Sequence, residues 1–260
     1  MLSLANGEAM SEPATIEISD GLDTLRAVIG LHEIASLIER TARWVSPDTF
    51  KLLPLWFPEH ARRAFFYKNN WSEPQMNKSR TSGNSVHKFE GNVHANDALT
   101  LALGLRKKLR PNWSCCHIWG VDDASFQLSN LVVMDRRFFS CVANMVLLPT
   151  PLKAFSDTMP EIKAMLRICA RNLYNWQCDH ESMNTINSAL DKWSDWDSYP
   201  KSWPQQPGER LPLGVAPLTP AIRASAERRK AAIRRDLEYA GKYYPRDEVR
   251  AALDYWKIRV

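Results

Sequence analysis

The stretch Trp113-Ser-Cys-Cys-His-Ile-Trp119, followed after a polar loop by Phe138-Phe-Ser-Cys-Val-Ala-Asn-Met-Val-Leu-Leu-Pro149, decides the fold. The first run is dense in residues that favour a strand, and the second supplies another strand, or two short ones, closing at proline. Pro149 and Pro151 then set up a helix start. A second start is predicted at Thr158, where Glu161 three residues later completes a capping box with Pro160 in the first turn. Ile162, Met165, Leu166, Cys169 and Leu173 fall on one face of an α-helix ending near Tyr174 or Asn175. The order is therefore strand, loop, strand, helix, with His117 near the end of the first strand and Asn144 inside the second.

On the N-terminal side, Leu22, Leu25, Val28, Ile29, Leu31, Ile34, Leu37 and Ile38 recur at helical spacing and predict one or two amphipathic helices. Tyr67 to Gly91, rich in Asn, Ser, Lys and Gly, reads as a long irregular connection. Asn96 is a candidate cap for a helix that runs into Arg106, Lys107, Lys108 and Arg110, where cations suit the C-terminal end of the helix dipole. On the C-terminal side, Asp179 to Gly214 reads as an extended wrap or linker with one short helix near Asn184 to Trp193. A helical tail follows from Pro220, with a further helix after Pro245. The fold class expected is α+β, a mostly helical protein around a small strand-strand-helix unit. Its regions are a helical stretch with a basic, loop-rich segment over 1–95, a core over 96–180, a linker over 181–219 and a basic tail over 220–260.

With 260 residues, 45% hydrophobic and 24% charged, wholesale disorder is excluded, and no apolar run reaches the ~20 residues that span a bilayer. The first 20 residues are acidic and lack a signal-peptide core. Five cysteines, two of them adjacent, make a poor disulfide framework. A reducing cytoplasm is the expected compartment. The net charge of +5 is unevenly placed: −5 over residues 1–50, +7 over 51–113, −3 over 114–200 and +6 over 201–260. Basic blocks flanking an acidic centre suit a polyanion gripped at its flanks, although solvated helix faces give the same pattern.

A histidine at a strand end, with one ring nitrogen fixed by a backbone carbonyl, can take a proton from water attacking a phosphodiester. An asparagine beside it can orient a loop or the imidazole without titrating. A divalent cation bound nearby would stabilise the charge that develops on the phosphate.

At these residues the sequence resembles the HNH, or ββα-metal, nuclease superfamily. The resemblance is carried by Cys116-His117-Ile118-Trp119, by Ala143-Asn144-Met145-Val146-Leu147-Leu148-Pro149 and by Leu152 to Asp157, within about residues 113–176. It implies a ββα-metal unit, with His117 as general base and Asn144 as the middle asparagine of the motif. Where the superfamily often places a metal ligand before the base, this chain has Cys116, and at the third motif position it has Lys153. The ligands would then be Asp157, which starts the expected helix, with Asp122 or Asp123. The ion expected is Mg²⁺, with Zn²⁺ as the alternative. The implied partner is nucleic acid, double-stranded DNA first, contacted by Arg106, Lys107, Lys108, Arg110, Lys153, Arg228, Arg229, Lys230, Arg234 and Arg235. No membrane partner is implied, and a second copy or partner subunit stays open.

Other readings compete. A catalytically inactive nucleic-acid-binding module could keep the same fold. Cys115, Cys116, Cys141, Cys169, Cys178 and His180 could hold a structural zinc, although no Cys-x-x-Cys pair exists. Cys115 or Cys116 with His94 or His180 could form a nucleophile pair. His87, Glu90 and His94 could ligate a metal, although their loop-like setting reads as polar surface. For each residue taken singly, the ordinary explanation is a buried histidine, a backbone-satisfying asparagine or a small core cysteine.

Overall fold

The computed structural model describes residues 20–120 and 130–260, and Asp122 and Asp123 lie outside that range. The chain divides into two compact units, residues 1–30 and 31–260. In the first, the described part is α1 (Gly21–Arg26), whose start is capped by the Asp20 carboxylate accepting from the N–H groups of Leu22 and Asp23.

The second unit is a mixed α+β assembly. In chain order it contains α2 (Leu31–Thr41), β1 (Trp44–Val45), α3 (Pro47–Leu52), β2 (Met76–Lys78), β3 (Ser85–His87), α4 (Val93–Ala102), β4 (Trp113–His117) and β5 (Met145–Pro149). There follow α5 (Thr150–Thr158), α6 (Pro160–Tyr174), α7 (Asn184–Leu190), β6 (Val215–Ala216), α8 (Pro220–Tyr239) and α9 (Arg246–Tyr255). Among the described residues the strands form three two-stranded sheets: β4 antiparallel to β5, β2 antiparallel to β3, and β1 parallel to β6.

The β4–β5 pair is the centre. Its register runs from Trp113 opposite Pro149 to His117 opposite Met145. Met145, Val146, Leu147 and Leu148 are all buried, which explains why this strand reads as an uninterrupted apolar run instead of an alternating one. On its other edge, Leu147 exchanges both backbone hydrogen bonds with Arg43. The helix α6 buries the whole stripe Ile162, Met165, Leu166, Cys169 and Leu173 and stops at Asn175, whose φ of 47° is the left-handed conformation of a helix end.

Several local expectations give way to tertiary context. Thr158 does not open α6. It is the last residue of α5, its hydroxyl donates to the Ala154 carbonyl, and α6 begins after Met159 without a capping box. Asn144 is not inside a strand but ends a 3-10 turn, Val142–Asn144, immediately before β5. The segment 67–91 is an irregular connection that holds one short hairpin, β2 and β3 joined across the turn at Gly83. The α4 cap position is Asn92, so the helix ends at Ala102 and the cluster Arg106 to Arg110 lies beyond it, around a separate 3-10 turn. The stretch before β6 is packed, since Trp203 is buried edge-on against Trp44 at 5.8 Å. Among the described residues, no helix is long and apolar enough to cross a membrane.

Candidate functional site

The last residue of β4 is His117, and the strand pairing carries on one step further through Ile118 N–H donating to the Asn144 carbonyl at 2.8 Å. The Asn144 side chain, fully buried, then bridges two pieces of backbone. Its Oδ1 accepts from Trp119 N–H at 2.7 Å, and its Nδ2 donates to the Phe138 carbonyl at 3.0 Å. His117 Nε2 lies 2.9 Å from the carbonyl of the next residue, Phe139, whose ring stacks on the imidazole at 5.7 Å. A carbonyl can only accept, so Nε2 carries the proton and Nδ1 is the nitrogen able to take another. Histidine and asparagine are thus anchored to one dipeptide, Phe138-Phe139. His117 is buried, with 8% of the residue exposed.

Sequence reasoning missed a third member. Arg167, buried on α6, donates from Nε to the Ile118 carbonyl at 3.1 Å and from Nη2 to the Gly120 carbonyl at 2.6 Å. The available signal was the recurrence of Lys163, Arg167 and Arg171 every fourth residue through a helix otherwise rich in buried apolar side chains. Gly120 is required where it stands: at φ +135° a Cβ would fall 2.1 Å from Asn130 Nδ2.

Neighbouring strand residues face opposite ways, so Cys116 points away from His117 and towards α5. There it meets Ser156, Lys153 and Asp157, and burial pushes its thiol up to about 11 despite the lowering influence of Lys153. Asp157 is not free, because it pairs with Lys153 one helical turn away. A protonated thiol, an ammonium and one paired carboxylate do not fit Mg²⁺, which wants several hard oxygen ligands.

The predicted cationic contacts separate into two groups. Arg106, Lys107, Lys108, Arg228, Arg234 and Arg235 are exposed, and Lys230 is half-buried beside Glu227. Arg110 and Arg229 are engaged inside the fold. Arg110 is buried, donating to Thr100 Oγ1 and to the Asn96 and Trp113 carbonyls. Arg229 donates to the Trp56 carbonyl and pairs with the buried Glu59. The two basic blocks nevertheless meet: a Cβ on Gly104 would lie 3.1 Å from Ile222 Cγ1, so the turn leading to Arg106 packs on α8.

All five cysteines are buried and unpaired, and burial raises the thiols of Cys115, Cys141 and Cys169 well above their ordinary value and that of Cys178 to about 12. Both cysteine-based readings lose their footing. Among the described residues none of these thiols joins a three-ligand group. The reactive thiolate form is scarce at Cys116 near neutral pH. Iodoacetamide at neutral pH should therefore modify the native chain far more slowly than the urea-unfolded chain, and one fast-reacting thiol in the native protein would restore the nucleophile reading.

The three-ligand group that does exist among the described residues is His60, Glu90 and His94. It corrects the reading of His87 with Glu90 and His94 as surface. His87 is exposed on β3 beside Phe65, whereas His60, from a segment with no motif, completes the set. Burial first, then His94, Arg229 and Arg136, hold the His60 imidazolium well below its ordinary pKa, so the ring is neutral at pH 7. Comparison with family models, curated proteins and solved structures finds no match.

Proposed function

We propose that the chain is an HNH-like phosphodiester hydrolase acting on nucleic acid, double-stranded DNA first, with His117 as general base. The observation that carries this reading is the double anchoring of His117 and Asn144 on Phe138-Phe139, followed directly by β5 and α5. The ββα-metal unit of the superfamily has this order of elements. As a water oxygen attacks phosphorus, its proton passes to His117 Nδ1, and the Phe139 carbonyl stabilises the imidazolium through the Nε2 hydrogen bond. The P–O bond to the leaving alkoxide breaks as the new one forms. The superfamily uses a divalent cation to stabilise that alkoxide. The described residues around Cys116 do not fit Mg²⁺, so the step assigned to this chain's own groups is proton transfer at His117.

The same misfit favours a second reading, a nucleic-acid-binding module that keeps the unit without catalysis. Incubating the full chain with a labelled duplex, with Mg²⁺ or Mn²⁺ and over a range of salt, separates the two. Cleavage with salt-dependent binding supports the hydrolase, and salt-dependent binding without cleavage supports the module. Replacing Arg106, Lys107 and Lys108 together by alanine should reduce the slope of log K against log salt by about 2.7, or ~0.9 per lost phosphate contact. Binding indifferent to salt would remove both readings.

A further inference from the structure

We propose that His60, Glu90 and His94 bind a divalent transition-metal ion of the zinc type, at a place separate from His117. Their ligand atoms lie within 4.8 Å of one another. Bonds of ~2.0–2.1 Å to zinc put two ligand atoms ~3.4 Å apart, within reach of small side-chain rotations from that arrangement. Two stretches distant in sequence supply the set. His60 closes the turn after Phe57, and Glu90 and His94 flank the start of α4.

The ligand types select the ion. Two imidazoles and one carboxylate suit zinc and its first-row neighbours, whereas Mg²⁺ and Ca²⁺ want oxygen throughout. The rings of His60 and His94 lie parallel, 3.4 Å apart at an interplanar angle of 5°, between Phe57, Phe66 and Trp71. This packing brings two imidazoles and the Glu90 carboxylate together in one small pocket walled by aromatic rings. The Glu90 carboxylate, only 2% exposed, is pre-positioned: Oε1 accepts from Val93 N–H at 2.7 Å and Oε2 faces His94 Nδ1. A carboxylate anchored by a second hydrogen bond is the arrangement that orients metal ligands elsewhere.

An independent observation comes from Glu59, 5% exposed, whose Oε1 stands 3.8 Å from His60 Nε2 while Oε2 has no hydrogen-bond partner. A buried carboxylate oxygen left without a donor is costly, and a cation beside His60 would offset that charge. Arg229 pairs with Oε1, and Glu59 stands outside the three-ligand group, as a neighbouring negative charge beside His60.

The test uses the full chain, stripped with EDTA and titrated with Co²⁺. The expected result is one equivalent bound with visible d–d absorption and no thiolate-to-cobalt charge-transfer band, displaced by Zn²⁺ but not by excess Mg²⁺. His60→Ala and His94→Ala should each weaken Co²⁺ binding at least ~100-fold. If either fails to fold by far-UV circular dichroism, Glu90→Gln, which keeps the acceptor for Val93, replaces it as the reporting variant. His117→Ala and Asp157→Asn should bind Co²⁺ as the parent does, so loss of hydrolysis and loss of this ion are read apart. No d–d band in the parent, a thiolate band, unchanged affinity in the ligand variants, or loss of the band in Asp157→Asn would each overturn the assignment.

Discussion

If the chain is the proposed hydrolase, His117→Ala is expected to cleave duplex DNA ~10² to 10⁴ times more slowly than the parent while binding it with unchanged affinity and salt dependence. The magnitude is that of losing a positioned general base, and the geometry says why this imidazole should act as one. The Phe139 carbonyl fixes Nε2 as donor, so the tautomer and ring orientation are set before substrate arrives. The imidazolium that forms keeps that bond. Alanine also leaves the buried Phe139 carbonyl without this donor and removes the ring stacked on Phe139, which should destabilise the chain by about 1–3 kcal/mol. Thermal melts must therefore accompany the rates, with cleavage measured well below both midpoints. A folded His117→Ala protein that cleaves at the parental rate would end the hydrolase reading and leave the binding module.

The second large effect is on stability. Asn144→Ala deletes two hydrogen bonds at a fully buried position: it orphans Trp119 N–H and leaves the Phe138 carbonyl with Cys141 N–H as its remaining donor. A buried, unsatisfied backbone N–H costs about 1–3 kcal/mol and the lost bond to the Phe138 carbonyl about 0.5–1.5 kcal/mol, so a combined loss of about 1.5–4.5 kcal/mol is expected. That is a large share of the ~5–15 kcal/mol by which domains are stable. Urea unfolding should show a lower midpoint at unchanged slope, since the surface exposed on unfolding is nearly the same. Asn144→Asp should be no better: it keeps an acceptor for Trp119 but places a second acceptor, and a charge, against the Phe138 carbonyl. Because Phe138 is adjacent to the residue that holds His117, the alanine variant should also lower cleavage. A change in midpoint worth less than ~0.5 kcal/mol would mean that the loop is held by other contacts such as Arg167.

Elements governed by local pattern were legible before any coordinates. The stripe from Ile162 to Leu173, the stop at Asn175, the tail helix from Pro220 and its successor after Pro245 all follow from periodicity and from the backbone limits of proline and asparagine. The hairpin strands were legible for the same reason, whereas the 3-10 turn that carries Asn144 was not. The Thr158 capping box failed because a side chain that can cap a following helix can equally bond back to the preceding turn, and the Ala154 carbonyl was already within reach. The β2–β3 hairpin went unseen because all six of its residues are exposed and polar composition hides strand pairing.

The candidate sites divide along the same line. Composition and order placed His117 at the end of one strand and the exposed cations in two basic blocks, since each belongs to a short segment set by its neighbours in the chain. The partners of charged groups could not be read that way: Arg229 and Glu59 pair across 170 positions, Arg110 turns inward to Thr100 and Asn96, and His60 joins Glu90 and His94 from a stretch without any motif. Periodicity and turn chemistry act over a few residues, and the chain carries them everywhere it goes. Electrostatic pairing and ligand convergence act through space, and they come into being when packing carries distant segments into the same low-dielectric interior.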